Sequence, residues 1–214
     1  ASSLVGSEMC IRDSFFVKDS GDKPCPNWAQ DLMSSSAETS ESNPAQTHET
    51  TIGETALYIY TSGTTGLPKA AVLSNRRYLI AADMSALAGL QCTVKDRIYL
   101  CLPLYHATGL LLGAGAAFAS GASMFVRRKF SASNFLKEIR EHNCSHMIYI
   151  GELCRYLTNI QEHADDAQSP LHCIMGNGMR PDIWMDFKKR YGINRVCEFY
   201  GASEGNVSFA NLMN

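Results

Sequence analysis

The chain is 214 residues long and 45% apolar, enough for one large domain or two small ones around a real core. Its formal net charge of −2 gives no electrostatic footing for nucleic acid as a partner. Eight cysteines, at 10, 25, 92, 101, 144, 154, 173 and 197, include no CxxC pair, which fits reduced thiols in a cytosolic protein better than a disulfide framework or a zinc site.

The first stretch, Ser2-Ser3-Leu4-Val5-Gly6-Ser7-Glu8-Met9-Cys10-Ile11-Arg12-Asp13-Ser14, resembles translated sequencing-adapter DNA, so residues 1–14 read as a non-native segment. Residues 15–54 read as a polar, partly mobile segment: five acids and no Lys or Arg lie between Pro24 and Pro68. Folded structure is expected from Thr55, as one domain over 55–214. A strand is predicted over 56–60, running into Thr61-Ser62-Gly63-Thr64-Thr65-Gly66-Leu67-Pro68-Lys69. Further strands are predicted over 97–102, 122–127, 145–150, 171–175 and 195–199. Helices are predicted over 76–90, over 130–142 with Ser131 or Ser133 as N-cap, over 152–160, and over 181–191 with Pro181 at the first turn and Gly192 past the end. Residues 98–126 carry no formal charge, yet Pro103, His106 and the later Gly and Ser residues break the run. It reads as strand, loop, buried helix and strand rather than a membrane span. The alternation gives an α/β fold with a parallel-rich sheet and helices packed on it.

The loop Thr61–Lys69 packs two glycines, four hydroxyl side chains and a terminal lysine into nine residues. Glycines allow close backbone approach, and backbone N–H groups, hydroxyls and an ammonium together make an anion cradle suited to polyphosphate. It lacks the Gly-x-x-x-x-Gly-Lys-Ser/Thr spacing of a Walker A loop. A flexible Ser/Thr/Gly linker is the plainer alternative. Three more unusual segments follow predicted strands: Pro103-Leu104-Tyr105-His106, Gly176-Asn177-Gly178-Met179-Arg180, and Tyr200-Gly201-Ala202-Ser203-Glu204-Gly205-Asn206. Ligands of open α/β sheets bind beyond the carboxyl ends of the strands, so the four loops are expected to share one ligand. Taken singly, His106 reads as a core histidine, Gly176-Asn177-Gly178 as a turn and Tyr200-Gly201 as a strand end. Glu204 is the one acid in the four loops and the candidate ligand for Mg2+, with Ser203 beside it as hydroxyl donor.

The string Thr61–Lys69 resembles the phosphate loop of adenylate-forming enzymes: acyl-CoA synthetases, luciferases and peptide-synthetase adenylation domains. Tyr200-Gly201-Ala202-Ser203-Glu204 is similar to their Tyr-Gly-x-Thr-Glu motif, with Ser for Thr, and Pro103-Leu104-Tyr105-His106 to their Pro-Leu-Phe/Tyr-His motif. The strings Lys129-Phe130-Ser131-Ala132-Ser133-Asn134-Phe135 and Tyr149-Ile150-Gly151-Glu152-Leu153-Cys154-Arg155-Tyr156-Leu157 look like the fatty acid transport protein, or very-long-chain acyl-CoA synthetase, branch. So does Glu198-Phe199-Tyr200-Gly201 followed by Glu204-Gly205-Asn206.

The resemblance implies part of the large N-terminal domain of that fold, with ATP, Mg2+ and CoA as cofactors or co-substrates and a fatty acid as substrate. It implies ATP contacts at Thr61, Ser62, Gly63, Thr64, Thr65, Gly66, Lys69, Tyr200, Gly201 and Ser203, adenine contacts at Gly176, Asn177 and Gly178, and catalytic roles for His106, Ser203 and Glu204. The family's Tyr-x-Thr-Gly-Asp motif and the C-terminal domain with its catalytic lysine are missing, so the chain reads as a fragment, expected to be inactive alone. The expected location is the cytoplasm or a membrane facing it, with peripheral membrane association. The alternatives are a ligase for a carnitine-like or aryl acid, or a lipid-uptake protein of the same family.

Overall fold

A computed structural model describes residues 15–16, 24–37, 39–61, 67–203 and 208–213. It divides into two compact units, residues 1–50 and 51–214. In the first, β1 (Phe15–Phe16) and β2 (Gln30–Asp31) pair in parallel and lead into α1 (Leu32–Ala37), followed by a 3-10 turn at Ala45–His48. Asp31 Oδ1 starts α1 by accepting the Met33 N–H at 2.9 Å.

The second unit opens with a hairpin, β3 (Thr55–Thr61) and β4 (Lys69–Ser74), paired antiparallel. Ile59 and Leu73 are buried on one face against Leu111, while Tyr58, Tyr60 and Val72 lie exposed on the other. The strand expected over 56–60 therefore forms, but outside the parallel sheet. Its partner β4 is not among the expected strands, although alternation of Ala71 and Leu73 with Val72 is a strand signal.

Ser74 caps α2 (Asn75–Asp83), its Oγ accepting the Arg77 N–H at 3.4 Å. The helix then widens into a π-helical stretch, Met84–Leu90, ended by Gln91 at φ 55°. The widening seats Ser85 and Gly89 on the sheet. Ser85 Oγ donates to the Leu112 carbonyl at 2.8 Å, and a Cβ at Gly89 would overlap the Met175 sulfur. A second π-helical stretch, Thr108–Ala114, runs into α3 (Gly115–Ser120). One helix was expected over 76–90 and one in the uncharged run. Both form, but close packing on the sheet unwinds part of each.

The main sheet has the order β10-β9-β8-β7-β5-β6. β5 (Arg97–Leu100), β6 (Ser123–Val126), β7 (His146–Ile150), β8 (Cys173–Asn177) and β9 (Arg195–Gly201) are all parallel. The edge strand β10 (Ser208–Asn211) pairs antiparallel with β9. Its sequence signal was Gly205-Asn206, a turn pair between two β-rich runs. Ile98, Tyr99, Leu100, Met147, Ile148, Tyr149, Ile174 and Val196 are all 0% exposed, as expected of parallel strands covered on both faces. Burial of each such side chain contributes about 1.5–3 kcal/mol. One face carries the two π-helical stretches: Gly113 abuts Leu100 and Ile148. The other carries α4 (Phe135–Glu141), α5 (Gly151–Thr158) and α6 (Pro181–Tyr191). There the Phe135 ring meets Tyr99 and Tyr191 edge-on, with centroids 5.4 and 6.1 Å away.

Asn134, not Ser131 or Ser133, precedes α4, and it makes no side-chain cap. The two serine hydroxyls bond each other at 3.2 Å instead. α6 matches its expected bounds. Pro181 supplies a preset φ at the first turn, and Gly192 at φ 66° lets Ile193 N–H close onto the Lys188 carbonyl at 2.9 Å. Among the described residues, no helix is long and apolar enough to cross a membrane.

Candidate active site

From β5 the chain crosses to β6 over one face; from β7 and β8 it moves the opposite way over the other face. Connections diverge where the strand order reverses, which opens a crevice at the carboxyl ends of β5 and β7. The segment Pro103–His106 emerges there. His106 N–H bonds the Pro103 carbonyl at 3.1 Å, and the His106 carbonyl accepts the Leu110 N–H at 3.0 Å, starting the π-helical stretch. The Thr108 N–H donates to His106 Nδ1 at 3.2 Å. The neutral ring therefore carries its proton on Nε2, leaving one N–H donor. His106 is exposed, so the core reading of this histidine does not hold.

A cleft of about 730 Å³ lies against this loop. Its floor is apolar, built from Met84, Leu111, Leu112, Met175 and Phe199, and its polar groups include His106, Thr108, Asn177 and Ser203. Strand alternation decides which residues reach it. Met175 and Asn177 of β8, and Cys197, Phe199 and Gly201 of β9, line the cleft. Gly176, Glu198 and Tyr200, one step out of phase, do not. Of the expected site residues, the fold thus gathers His106, Asn177, Gly201 and Ser203 on one cleft. Gly178 is also absent from its lining.

At the same rim, Glu198 ties the loop after β8. Its carboxylate accepts N–H bonds from Gly178 (3.1 Å) and Met179 (2.9 Å) and the Tyr149 hydroxyl at 2.5 Å. Burial, then this hydroxyl bond to a carboxylate, pushes the Tyr149 phenol well above its ordinary value. Gly178 sits at φ 79°, and a Cβ at Gly151 would overlap its carbonyl, so α5 starts against this loop. Sequence reasoning assigned Glu198 no role. Its signal was an acid inside an apolar strand run, a position that demands partners.

Thr61 and Lys69 face each other across the end of the β3–β4 hairpin, and the Thr61 hydroxyl donates to the Lys69 carbonyl at 3.3 Å. Thr61 and Lys69, the first and last of the phosphate-loop candidates, therefore sit at the end of a hairpin rather than after a strand of the parallel sheet. Ser62, Gly63, Thr64, Thr65, Gly66, Glu204, Gly205, Asn206 and the segment 1–14 lie outside the described residues. Among the described residues, no carboxylate lines the cleft.

Residues 14–214 match the family described as AMP-binding enzyme. The chain belongs to the AMP-binding enzyme family. Within that family it is similar to the medium/long-chain-fatty-acid–CoA ligase FadD6 of Mycobacterium tuberculosis, at 44% identity over 80% of this chain and 29% of that protein. It is also similar to long-chain fatty acid transport protein 6 of Mus musculus, at 43% identity over 78% of this chain and 27% of that one. The chain thus spans less than a third of these relatives. The AMP-binding fold is shared with the N-terminal domain of FACL13 from M. tuberculosis: TM-score 0.71, 20% identity, covering 82% of this chain and 43% of that one. ATP-bound MatB from Rhodopseudomonas palustris aligns with TM-score 0.69 at 22% identity, over 83% of this chain and 35% of that one.

Proposed function

We propose that the protein is a long-chain or very-long-chain fatty acid CoA ligase. In the first step a carboxylate oxygen attacks the α-phosphorus of ATP and pyrophosphate leaves, giving an acyl-adenylate. In the second, the CoA thiol sulfur attacks the acyl carbonyl, loses its proton and expels AMP. The observation that carries this reading is the cleft: an apolar floor with Asn177 from the end of β8 and His106 and Ser203 from the loops that follow strands. That polarity suits an amphiphile with one ionised head. The names of the ligase and transport relatives support a fatty acid over a carnitine-like or aryl acid.

His106 donates its Nε2–H to the oxygen on which charge develops, held in that tautomer by Thr108. Asn177, Gly201 and Ser203 line the same cleft and hold the nucleotide, and Gly176, Gly178 and Tyr200 take the adenine at its rim. Thr61, Ser62, Gly63, Thr64, Thr65, Gly66 and Lys69 cradle the phosphates. When bound, Mg2+ neutralises phosphate charge, and Glu204 next to Ser203 is its proposed ligand. A location in the cytoplasm, or on a membrane facing it, belongs to the same proposal because ATP and CoA are supplied there.

The test is fatty-acid-dependent ATP–pyrophosphate exchange in the intact protein. His106→Ala should slow exchange about 10²-fold or more, the cost of losing one preorganised donor. Its thermal midpoint should fall only slightly, because the side chain is exposed and the variant loses only the bond from the Thr108 N–H. Long-chain fatty acids should support exchange and carnitine-like or aryl acids should not. Unchanged exchange in His106→Ala would remove the histidine from the reaction, and exchange with aryl acids alone would remove the substrate class.

A further inference from the structure

Asp96, His146 and His172 converge at the amino-terminal rim of the sheet, away from the strand-end loops of the cleft. They sit at the starts of three neighbouring strands. Asp96 precedes β5, His146 opens β7, and His172 precedes β8, with Ile98 registered on His146 and His146 on Cys173. One ligand atom from each residue lies within 4.8 Å of the other two. Nδ1 of His146 is 3.5 Å from Asp96 Oδ1, and the imidazole centroids are 5.0 Å apart at 71°. His146 is 2% exposed. Among the described residues, this is the one group of three or more such side chains so arranged.

The hydrogen bonds decide which nitrogens are available. His146 Nε2 lies 3.1 Å from the Leu90 carbonyl, which only accepts, so Nε2 holds the proton and Nδ1 keeps its lone pair. His172 Nδ1 lies 3.0 Å from the Pro170 carbonyl, which leaves the lone pair on Nε2. Histidines that bind metals are oriented in this way, with the distal N–H given to a carbonyl or carboxylate. The carboxylate is oriented too. Asp96 Oδ2 accepts the Thr93 N–H at 2.8 Å and the Thr93 hydroxyl at 3.0 Å, and Oδ1 accepts the Ser145 hydroxyl at 2.9 Å. The same hydroxyl oxygen lies 2.8 Å from His146 Nδ1 and accepts the Arg97 N–H at 3.1 Å. One hydroxyl proton cannot serve both Asp96 and Nδ1. With that proton given to Asp96, the Nδ1 lone pair of His146 has no donor.

We propose that Asp96, His146 and His172 bind a Zn2+ ion that staples the starts of β5, β7 and β8. Two imidazoles and a carboxylate are a ligand set suited to Zn2+ rather than Mg2+ or Ca2+, with water as the fourth ligand. The cysteine spacing gave no sign of zinc because no cysteine takes part. The site is independent of the adenylation reading.

The full chain, stripped with a chelator and dialysed against Zn2+, should retain one equivalent, and Zn2+ should raise its thermal midpoint. Asp96→Asn and His172→Gln should each weaken binding by about tenfold or more. Substituted Co2+ should give visible bands of nitrogen and oxygen ligation without a thiolate charge-transfer band. That spectrum needs no variant, so a variant that fails to fold leaves the test intact. Absence of stoichiometric Zn2+, binding unchanged in both variants, or a thiolate band would overturn the proposal.

Discussion

Gly151 shows how one missing side chain positions a loop. A Cβ there would overlap the Gly178 carbonyl, and neither backbone is free to retreat. Glu198 holds the Gly178 and Met179 N–H groups in place. Gly151→Ala should therefore push this loop off Glu198 and cost about 1–3 kcal/mol, the usual range for overpacking. Gly53→Ala is the control, because an added Cβ there meets nothing within 4 Å. Urea titration should show a lower midpoint for Gly151→Ala at an unchanged slope, and none for Gly53→Ala. Equal midpoints would mean the loop yields freely. Gly151 does not stand out in the sequence, since the close approach joins residues far apart in the chain.

At the scale of elements, the connection 159–172 between α5 and β8 has no helix or strand of its own. Two arginines from neighbouring helices hold it. Arg140 of α4 donates to the Gln168 carbonyl (3.2 Å) and the Asp165 carbonyl (2.6 Å). Arg190 of α6 pairs with Asp166 at 2.7 Å, with side chains 8% and 4% exposed, and also donates to the Leu157 and Gln161 carbonyls. Asp166→Ala leaves a buried guanidinium without its counter-ion and should cost about 3–5 kcal/mol. Asp165→Ala breaks a pair whose acid is 56% exposed and should cost about 0–1 kcal/mol. Denaturant midpoints compared between the two variants check this; similar losses would show that burial does not set the difference. The helices α4 and α6 were legible from apolar spacing and terminal residues. Their role as clamps was not, because a surface arginine and a buried one look alike in sequence.

At the scale of the whole molecule, the core is rich in thiols that its burial keeps protonated. Cys92, Cys101, Cys144, Cys154, Cys173 and Cys197 are all buried and free. Burial pushes the Cys101 thiol up to about 12 and raises Cys154 as well. A raised folded-state value means the folded form keeps protons that the unfolded form releases. This contribution is fully present below the unfolded thiol value, about 8.5, and is lost as pH rises through the folded values. Stability should therefore fall with rising pH in the alkaline range. At about pH 8, iodoacetamide should modify the half-buried Cys25 while the six buried cysteines react only in denaturant, as mass spectrometry would read. Rapid native labelling of Cys101 or Cys154 would contradict the burial. The sequence by itself determined the alternation of strands and helices, the bounds of α6, and the loops around His106, Asn177 and Ser203, because period, caps and strand exits are local properties. Only the tertiary structure decided that β3 leaves the sheet to pair with β4. It alone sorted Asn177 and Gly201 from Gly176 and Tyr200, since a strand's two faces become distinct only when something packs on each. It alone brought Asp96, His146 and His172 together, because that contact depends on the order of β5, β7 and β8 in the sheet.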